Sequence, residues 1–434
     1  MKRLRILLLS EQNNPDWVSV PLVGYLHAAA LARLHDVTLV THDRNRPALA
    51  SQAQPFREII TCSIPWADRI FAWAVDVVFK NEYGSQALTA FRLPFYWLFE
   101  WWVWRHLGPK LQAGAYDIVL RITPVAPVLP SMLCWFLRKG PVPFVIGPIN
   151  GGLPWPTGFQ QAERQKEWIS GFRDFYRYVP FARATYRYAA AIIAGSSQTY
   201  SEYLDYHDKL FFIPENGIQS DRIAKRLPAI KKGPLELIFV GRLVPFKACD
   251  LALRAASPLI HAGRARLTVV GDGPERARLE QLCGELGIEA GVNFTGALPH
   301  PAAMQRFAAA DILVFPSIRE FGGGVVFEAL AHGVVPIVAA YGGPGDIVYP
   351  DIGFKINLSD EAQMQVDMTA ILEHLDRDRE ELRRLSTKGQ AHALQDLSWD
   401  GKAKLTSSIL CWCLGLEPKP VLLPPVLIDE KSEP

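Results

Sequence analysis

The chain has 434 residues, of which 49% are apolar and 21% charged, so it is long enough for two or three globular domains and is not disordered as a whole. Lysine plus arginine number 46 against 44 acidic residues, and the net charge of +2 excludes a field strong enough for general nucleic-acid binding. Six scattered cysteines without a CxxC pair indicate neither a disulfide scaffold nor a zinc site, and they favour a reducing, cytoplasmic setting.

The amino-terminal part alternates short apolar runs with helical stretches. RILLLS at residues 5–10 is unbroken and apolar, which predicts a strand buried on both faces, and it is too short for a signal peptide. A helix near residues 24–34 follows, and VTLVTH, YDIVLR, PFVIGP and AAIIAGS each predict another strand. This alternation is typical of a parallel sheet.

Turn residues and a basic cluster interrupt the pattern near residues 214–235, and then LELIFVGR, RLTVVGDG, NFTG, DILVFPS and VPIVAA predict a second sheet. We therefore predict an α/β chain of two doubly wound, Rossmann-like domains that face each other across a cleft. The predicted domains are 1–215 and 235–395, with a linker at 216–234 and a C-terminal helix and proline-rich tail at 396–434. Ligands bind at the carboxyl ends of parallel strands, so two such edges can hold two substrates.

The segment 311–346 carries the strongest chemical signal. The predicted strand DILVFPS is followed by Glu320, by Phe321 with three glycines, and by a predicted helix with Glu328 about one turn inside it. Bare backbone N–H groups at the start of a helix favour an anion. A carboxylate one turn later suits a hydroxyl-rich group such as ribose, because it accepts two hydrogen bonds.

A pair of cations follows the first strand of the second predicted sheet. Arg242 comes directly after Gly241, and Lys247 follows five residues later. Arginine forms a forked contact with a phosphate, and lysine adds a point charge. Together with the glycine-rich helix start, the two side chains predict a clamp for a diphosphate.

These motifs resemble family 4 of the retaining glycosyltransferases, which have the GT-B fold. G-R-x-x-x-x-K at 241–247, V-G-D-G-P at 270–274 and F-P-S-x-x-E-x7-E-A-x-A-x-G from residue 315 fit that family in order and spacing, and the resemblance is dense from about residue 236 to 356. In the amino-terminal half it depends on topology and on the glycines of residues 147–152.

The resemblance implies roles for individual residues. Arg242 and Lys247 would bind the donor diphosphate, Glu320 would contact the donor sugar, and these three form the implied catalytic set. Glu328 would hold the ribose hydroxyls, and Gly273 with the 295–297 stretch would lie near the base. The complete implied donor-binding set is Glu328, Phe321, Gly322, Gly323, Gly324, Gly241, Gly273, Thr295, Gly296 and Gly24.

The amino-terminal half departs from the family pattern in two places. Where many members have a histidine at the end of the strand facing the donor, this chain has Gly147 and Pro148, so no catalytic side chain is implied there. Asn150 and Gly151 are the acceptor-side candidates. The family's usual glycine pair in the first loop is missing, and Gly24 is the substitute that we expect to approach the phosphates.

Aromatic residues concentrate at 91–107, FRLPFYWLFEWWVWRHL. One interpretation is a helix packed inside the amino-terminal domain, apolar on nearly all sides. The other is peripheral membrane contact, because tryptophan and tyrosine favour the headgroup layer and basic residues flank the stretch. Residues 164–187 are also basic and aromatic, and the sequence leaves both interpretations open.

We expect a retaining, metal-independent glycosyltransferase without a cofactor. It would move a hexose or hexosamine from a UDP- or GDP-sugar to a hydroxyl of a glycan or lipid-linked acceptor in bacterial polysaccharide or lipopolysaccharide assembly. The alternatives are a GT-B sugar-nucleotide epimerase or hydrolase, and a non-catalytic nucleotide-sugar-binding subunit. The DxD at residues 376–378 lies in a charged helical pattern and predicts no metal. We expect the protein in the cytoplasm, with association at the cytoplasmic face of the inner membrane as the open alternative.

Overall fold

The computed structural model describes residues 2–51, 53–78, 88, 91–151, 153, 179–220, 233–422 and 424–425. The chain divides into two compact units. The N-terminal unit comprises Met1–Gly152, Lys166–Glu215 and Trp399–Pro425, and the C-terminal unit comprises Leu153–Gln165, Asn216–Ser398 and Val426–Pro434. Most of the predicted linker at 216–234, residues 221–232, lies outside the described residues, as does most of the basic 164–187 stretch.

The N-terminal unit is built on a parallel sheet that has seven strands in its described residues. The strands are β1 (Arg5–Ser10), β2 (Asp36–His42), β3 (Glu58–Cys62), β4 (Ile118–Thr123), β5 (Phe144–Ile149), β6 (Ala191–Ala194) and β7 (Leu210–Phe212). Their order is β3-β2-β1-β4-β5-β6-β7, with each described pairing parallel. The helices are α1 (Val20–Leu34), α2 (Arg46–Ala50), α3 (Pro65–Val77), α4 (Leu93–Gln112), α5 (Met132–Leu137), α6 (Ala182–Tyr188) and α7 (Ser197–Glu202).

The unbroken apolar run in β1 is explained by cover on both faces of the sheet. Leu7 and Leu9 belong to one buried core cluster. Ile6 and Leu8, which point to the other face because side chains alternate along a strand, belong to a second cluster. The prediction of a doubly covered first strand is confirmed.

A parallel sheet also organises the C-terminal unit, where the described residues form six strands. The strands are β8 (Leu235–Val240), β9 (Ala265–Val270), β10 (Val292–Gly296), β11 (Ile312–Phe315), β12 (Val335–Ala339) and β13 (Phe354–Ile356). Their order is β10-β9-β8-β11-β12-β13, and the described pairings are parallel. The helices are α8 (Cys249–His261), α9 (Arg276–Leu286), α10 (His300–Ala309), α11 (Gly324–Ala331), α12 (Gly342–Ile347), α13 (Glu361–Arg377) and α14 (Arg379–His392).

The helix α15 (Trp399–Cys413) packs against α1, within the N-terminal unit, although its sequence follows the C-terminal unit. Two buried histidines of the N-terminal unit contact its hydroxyl groups. His27 Nε2 lies 3.1 Å from Thr406 Oγ1, and His35 Nε2 lies 2.7 Å from Ser407 Oγ. The helix therefore completes a core cluster that begins at Leu4.

The two carboxylates of the DxD motif are used within the structure. Asp376 forms ion pairs with Arg264 and Arg379. Asp378 ends α13 and caps α14, accepting a hydrogen bond of 2.9 Å from Glu381 N. The continuous helical pattern that the sequence suggested here is thus two helices with a break at Asp378. No cluster of metal-ligating side chains occurs in the part of the chain that the structure describes.

The aromatic 91–107 stretch forms most of α4, and one side of that helix lies in the core. Tyr96, Phe99, Val103 and Leu107 are buried, whereas Trp101 is exposed. Most of the apolar character of the stretch is therefore accounted for by packing inside the N-terminal unit. Among the described residues, every helix is too short or too polar to cross a bilayer.

Candidate donor-binding site

The carboxyl ends of β8, β9, β10 and β11 bring together most of the predicted donor-site residues. Gly241 and Arg242 follow β8, Gly273 follows β9, and Glu320 follows β11. These strands are neighbours in the sheet, in the order β10-β9-β8-β11. In open α/β sheets this edge is where ligands bind.

Glycines let the loops after β8 and β9 approach closely. Gly271 has φ +141°, and a Cβ atom on it would lie 1.8 Å from the carbonyl oxygen of Gly241. A Cβ on Gly273 would lie 2.3 Å from the carbonyl oxygen of Leu243. The loops are joined by backbone hydrogen bonds, including Leu243 N to Asp272 O at 3.0 Å. The two glycines of the V-G-D-G-P motif are therefore required by the close packing of the two loops.

Lys247 and Glu320 form an ion pair at the centre of this edge. Both side chains are mostly buried, and the Lys247 ammonium lies 5.0 Å from the centre of the Phe315 ring. Burial lowers the pKa of Lys247 to about 8, while the Glu320 carboxylate beside it favours the charged ammonium. The site thus holds one cation and one anion in a dry setting, where each acts strongly on a bound charge.

The three glycines after Phe321 serve different purposes. Gly323 caps α11 with φ +57°, which favours glycine. Gly322 O accepts a hydrogen bond of 3.0 Å from Asn216 Nδ2, and a Cβ on Gly322 would lie 2.1 Å from that nitrogen. A Cβ on Gly324 would meet no atom within 4 Å. The start of α11 at Gly324 is therefore open to the approach of a ligand.

Glu328 lies in α11, one turn from the helix start, as the sequence predicted. Its side chain is half-buried and its Oε1 lies 2.9 Å from Nε2 of His300, the first residue of α10. Glu328 thus has one oxygen in contact with an exposed histidine. The second oxygen suits a hydroxyl donor, and a ribose supplies hydroxyl donors.

The remaining predicted donor residues lie at the rim of the same edge. Arg242 and Phe321 are exposed. Thr295 donates a hydrogen bond of 3.3 Å to the carbonyl oxygen of Val269, and Gly296 has φ +72°. The exposed Arg242 side chain is therefore less constrained by packing than the mostly buried Lys247 side chain.

Gly24 lies in α1 of the N-terminal unit and is buried. A Cβ atom on it would lie 2.5 Å from the carbonyl oxygen of Gln12 and 2.8 Å from Ser10 Oγ. The helix is thereby held close against the loop after β1. This close packing is enough to require a glycine at position 24, whether or not a ligand binds nearby. The expected approach of Gly24 to phosphates therefore stays a prediction.

Asn150 and Gly151 follow β5, at the carboxyl end of its strand. Asn150 is buried, its Nδ2 donating to Glu215 Oε2 at 2.7 Å and its Oδ1 accepting from Ser196 Oγ at 2.9 Å. Gly151 N donates to Thr199 Oγ1 at 2.8 Å. Burial raises the pKa of Glu215, although its contact with Asn150 and the charge of Lys402 oppose that shift. These groups form a network within the N-terminal unit.

Three contacting residues were missed by the sequence analysis. His300 and Asn216 contact the site as described, and Gly343 N donates to Glu320 O at 3.0 Å. Gly343 also lies so close to the glycine loop that a Cβ would be 2.6 Å from Phe321 O. The Y-G-G-P-G run at 341–345 was a signal for such an approach, whereas nothing local marked His300.

Comparison with known proteins agrees with this geometry. Residues 220–392 match the family described as glycosyl transferases group 1. A D-inositol 3-phosphate glycosyltransferase of Thermomonospora curvata is 35% identical over 44% of this chain and 47% of its own. A 2-deoxystreptamine glucosyltransferase of Streptomyces kanamyceticus is 38% identical over 28% of this chain and 31% of its own. The chain thus spans less than half the length of these curated relatives.

Solved structures agree over nearly the whole chain. The structure of Alr3699/HepE of Anabaena in complex with UDP aligns with 94% of this chain over 100% of its own length. The TM-score is 0.57 and the sequence identity is 17%. WaaG, a glycosyltransferase involved in lipopolysaccharide biosynthesis, covers 93% of this chain and 99% of its own with a TM-score of 0.51 and 17% identity. At such identities the likeness establishes the fold. Residues 220–392 are thus similar to the glycosyl transferases group 1, and the chain has the GT-B fold.

Proposed function

We propose that the protein is a retaining, metal-independent glycosyltransferase that uses a UDP- or GDP-sugar as donor. The observation that carries the proposal is the set of groups at one edge of the C-terminal sheet. Lys247 and Glu320 meet there in a mostly buried pair, with the open helix start at Gly324 nearby in the chain. A cation, an anion-binding helix start and a carboxylate for sugar hydroxyls are what a nucleoside diphosphate sugar needs.

The reaction breaks the bond between the anomeric carbon and the diphosphate oxygen and forms a bond from the acceptor oxygen to that carbon. The acceptor proton passes to a phosphate oxygen of the donor, as is proposed for the family. Lys247 and Arg242 stabilise the departing diphosphate, Glu320 orients the sugar, and Glu328 holds the ribose. The protein then contributes positioning and electrostatic stabilisation, which need no metal or added cofactor.

We further propose a hexose or hexosamine as the transferred sugar and a hydroxyl of a glycan or lipid-linked molecule as the acceptor. The support for a UDP donor is that Alr3699/HepE was solved with UDP and with UDP-glucose. The names of the similar proteins differ, since they mention D-inositol 3-phosphate, 2-deoxystreptamine and lipopolysaccharide biosynthesis. We favour bacterial cell-surface polysaccharide assembly in the cytoplasm, at the inner membrane if the acceptor is lipid-linked, with Asn150 and Gly151 on the acceptor side.

Nucleotide binding tests the first step. The purified protein is heated with UDP, GDP, ADP or NAD, each with and without Mg²⁺. A ligand at one hundred times its dissociation constant stabilises the folded state by about 2.7 kcal/mol, which raises Tm by several degrees. We expect a magnesium-independent shift with UDP or GDP. No shift with any nucleotide, or a shift with NAD alone, would refute the proposal.

Turnover distinguishes a transferase from a binding subunit and from an epimerase or hydrolase. We expect sugar release from the donor to require an acceptor, and Glu320→Ala to abolish transfer while nucleotide binding is kept. Glu285→Ala, a change at an exposed acid of the same unit, is the matched control and should be fully active. Acceptor-independent consumption of the donor would favour the hydrolase instead.

A further inference from the structure

An exposed apolar stripe runs along α3. Trp66, Ile70, Trp73 and Val77 are 55%, 48%, 59% and 58% exposed. Their spacing of four, three and four residues places them on one face of the helix. Large apolar side chains in such a row are unusual on a protein surface, where exposed apolar residues are normally scattered.

The other side of α3 is fixed to the N-terminal unit. Ala67, Ala74 and Val75 are buried. The Phe71 ring meets Phe95 edge-on, with 5.1 Å between ring centres. The helix therefore cannot turn its stripe inward without giving up these contacts.

The few charges on α3 do not give the stripe a strong field of either sign. Asp68 is held on the protein side, 2.9 Å from His42 Nε2 and 3.2 Å from Ile64 N. Arg69 and Asp76 are exposed, lie seven residues apart on the same flank of the stripe and carry opposite charges. A partner recognised by charge complementarity is therefore not favoured here.

The area of the stripe argues against a stable protein partner. At half to three-fifths exposure the four side chains present roughly 400–500 Å² of apolar surface, taking 150–250 Å² for a whole aromatic side chain. A stable protein interface needs about 800 Å² from each partner. Two tryptophans with an apolar body and an N–H at the rim suit the boundary between lipid headgroups and acyl chains.

We propose that α3 binds the surface of a phospholipid bilayer by inserting Trp66, Ile70, Trp73 and Val77 between the headgroups, with the helix lying in the plane of the surface. Burial of apolar area drives the contact, so it needs no anionic lipid. This assigns the membrane contact to α3, in place of the 91–107 stretch that the sequence suggested. The proposal does not depend on the transfer reaction.

Sedimentation with phosphatidylcholine vesicles tests the assignment. We expect the wild-type protein to sediment with these uncharged vesicles, equally at low and high salt. The double variant Trp66→Ser, Trp73→Ser should partition at least roughly tenfold more weakly, given the apolar area removed. Trp101→Ser is the matched control, because Trp101 is an exposed tryptophan of α4 (49%), and it should bind as the wild type does.

Further measurements on the same samples distinguish a lost bilayer contact from unfolding and from self-association. Circular dichroism and Tm should be unchanged in both variants, because the substituted side chains are exposed. Quenching of tryptophan fluorescence by lipids brominated in the acyl chain should be reduced in the double variant and kept in Trp101→Ser. No binding by the wild type, equal binding by the double variant, or a wild-type dimer that the double variant dissolves would each overturn the proposal.

Discussion

The carboxyl edges of the two sheets use their polar groups differently. In the N-terminal unit Glu11, directly after β1, is buried and paired with both Arg44 and Arg92, the latter at 2.9 Å. Asn150 is likewise bonded on both sides. In the C-terminal unit Arg242 is exposed, and a Cβ atom added to Gly324 would meet no atom within 4 Å. The N-terminal edge uses these polar groups for its own structure, whereas the C-terminal edge, besides its Lys247–Glu320 and His300–Glu328 contacts, leaves Arg242 and the start of α11 exposed.

This difference explains why the candidate donor site has a clearer sequence pattern than the candidate acceptor-side residues Asn150 and Gly151. A diphosphate demands fixed residue types at fixed spacings, as with Arg242 and Lys247. In a buried network such as that of Asn150 and Glu215, each polar group needs only some hydrogen-bond partner, so the residue types and spacings can vary. Predictions that separate structural from ligand-binding polar groups therefore test the comparison directly.

The largest effect is expected where the N-terminal edge loses a charge. Glu11→Gln leaves Arg44 and Arg92 without a counter-ion and should lower the free energy of unfolding by about 3–5 kcal/mol. Urea unfolding followed by tryptophan fluorescence reports mainly on this unit, because eleven of the twelve tryptophans lie in its segments and Trp155 alone lies in a segment of the other unit. The nucleotide-induced shift of the remaining folded protein should be unaffected.

Acid should reproduce this loss in the wild type. Burial favours the protonated form of Glu11, but Arg44, Arg92 and His42 together outweigh it and lower its pKa below 4.5. Its contribution to stability is therefore present above about pH 4.5 and is lost as the pH falls through the lower folded value. Glu58→Gln, at an exposed site on the edge strand β3, is the control substitution. It should leave the free energy of unfolding nearly unchanged, and a loss of stability as large as that of Glu11→Gln would contradict the prediction.

The next effect concerns turnover at the C-terminal edge. Glu320→Gln keeps the shape of the side chain and removes its charge, so kcat should fall about 10²- to 10³-fold if the carboxylate acts mainly in the transition state. The nucleotide dissociation constant, measured by calorimetry, should change little. A loss of nucleotide affinity as large as the loss of kcat would instead place Glu320 in ground-state binding.

Lys247 should show a smaller effect with a distinctive pH dependence. Lys247→Ala removes a mostly buried charge partner of the diphosphate and should lower transfer at least tenfold. Because burial lowers the pKa of Lys247 to about 8, the free enzyme loses this cation as the pH rises through that value. UDP affinity should therefore be highest below pH 8 and decline above it.

Lys247→Arg distinguishes the charge from the shape. Arginine stays protonated, so the decline in UDP affinity above pH 8 should disappear even if the overall affinity is lower. Affinity that falls equally in both proteins would assign the titration to another group.

The smallest effect is expected at Gly324. Gly324→Ala adds a methyl group that meets no protein atom within 4 Å, so Tm should be unchanged. If the donor approaches the start of α11, UDP affinity should fall a few-fold. Gly322→Ala is the contrasting change, because its Cβ would lie 2.1 Å from Asn216 Nδ2 and the protein itself should lose stability. Unchanged UDP affinity in Gly324→Ala would remove the helix start from the site.

The sequence predicted the fold well wherever a strand is covered on both faces. Runs such as RILLLS and DILVFPS became β1 and β11. Strands β3, β7 and β13 lie at the edges of their sheets and were not predicted, and β7 and β13 have only three residues each. Short edge strands carry little apolar pattern, so local sequence does not distinguish them from loops.

In the site, the predicted residues at the end of β8 and β11 come together, because each follows a recognisable strand. His300 was missed since its contact with Glu328 spans 28 residues and depends on how α10 packs. Outside this site, in the N-terminal unit, the buried role of Lys402 was also not predicted. Its side chain is buried, donates to the carbonyl oxygens of Pro214 and Glu215, and has a pKa lowered by burial to about 7, none of which has a local signature.

The position of α15 has a consequence for biosynthesis. The N-terminal unit is discontinuous, since Trp399, Ala403 and Leu410 of α15 close a core that includes Leu4 and Ile6. A ribosome delivers the whole of Asn216–Ser398 before it delivers α15. The segment Asn216–Ser398 can therefore fold before α15 is synthesised. Until then the apolar face of α1 that α15 covers stays exposed. The N-terminal unit is thus the first to be synthesised and the last to complete its fold. A nascent polypeptide stalled before Trp399 would be a substrate for chaperones.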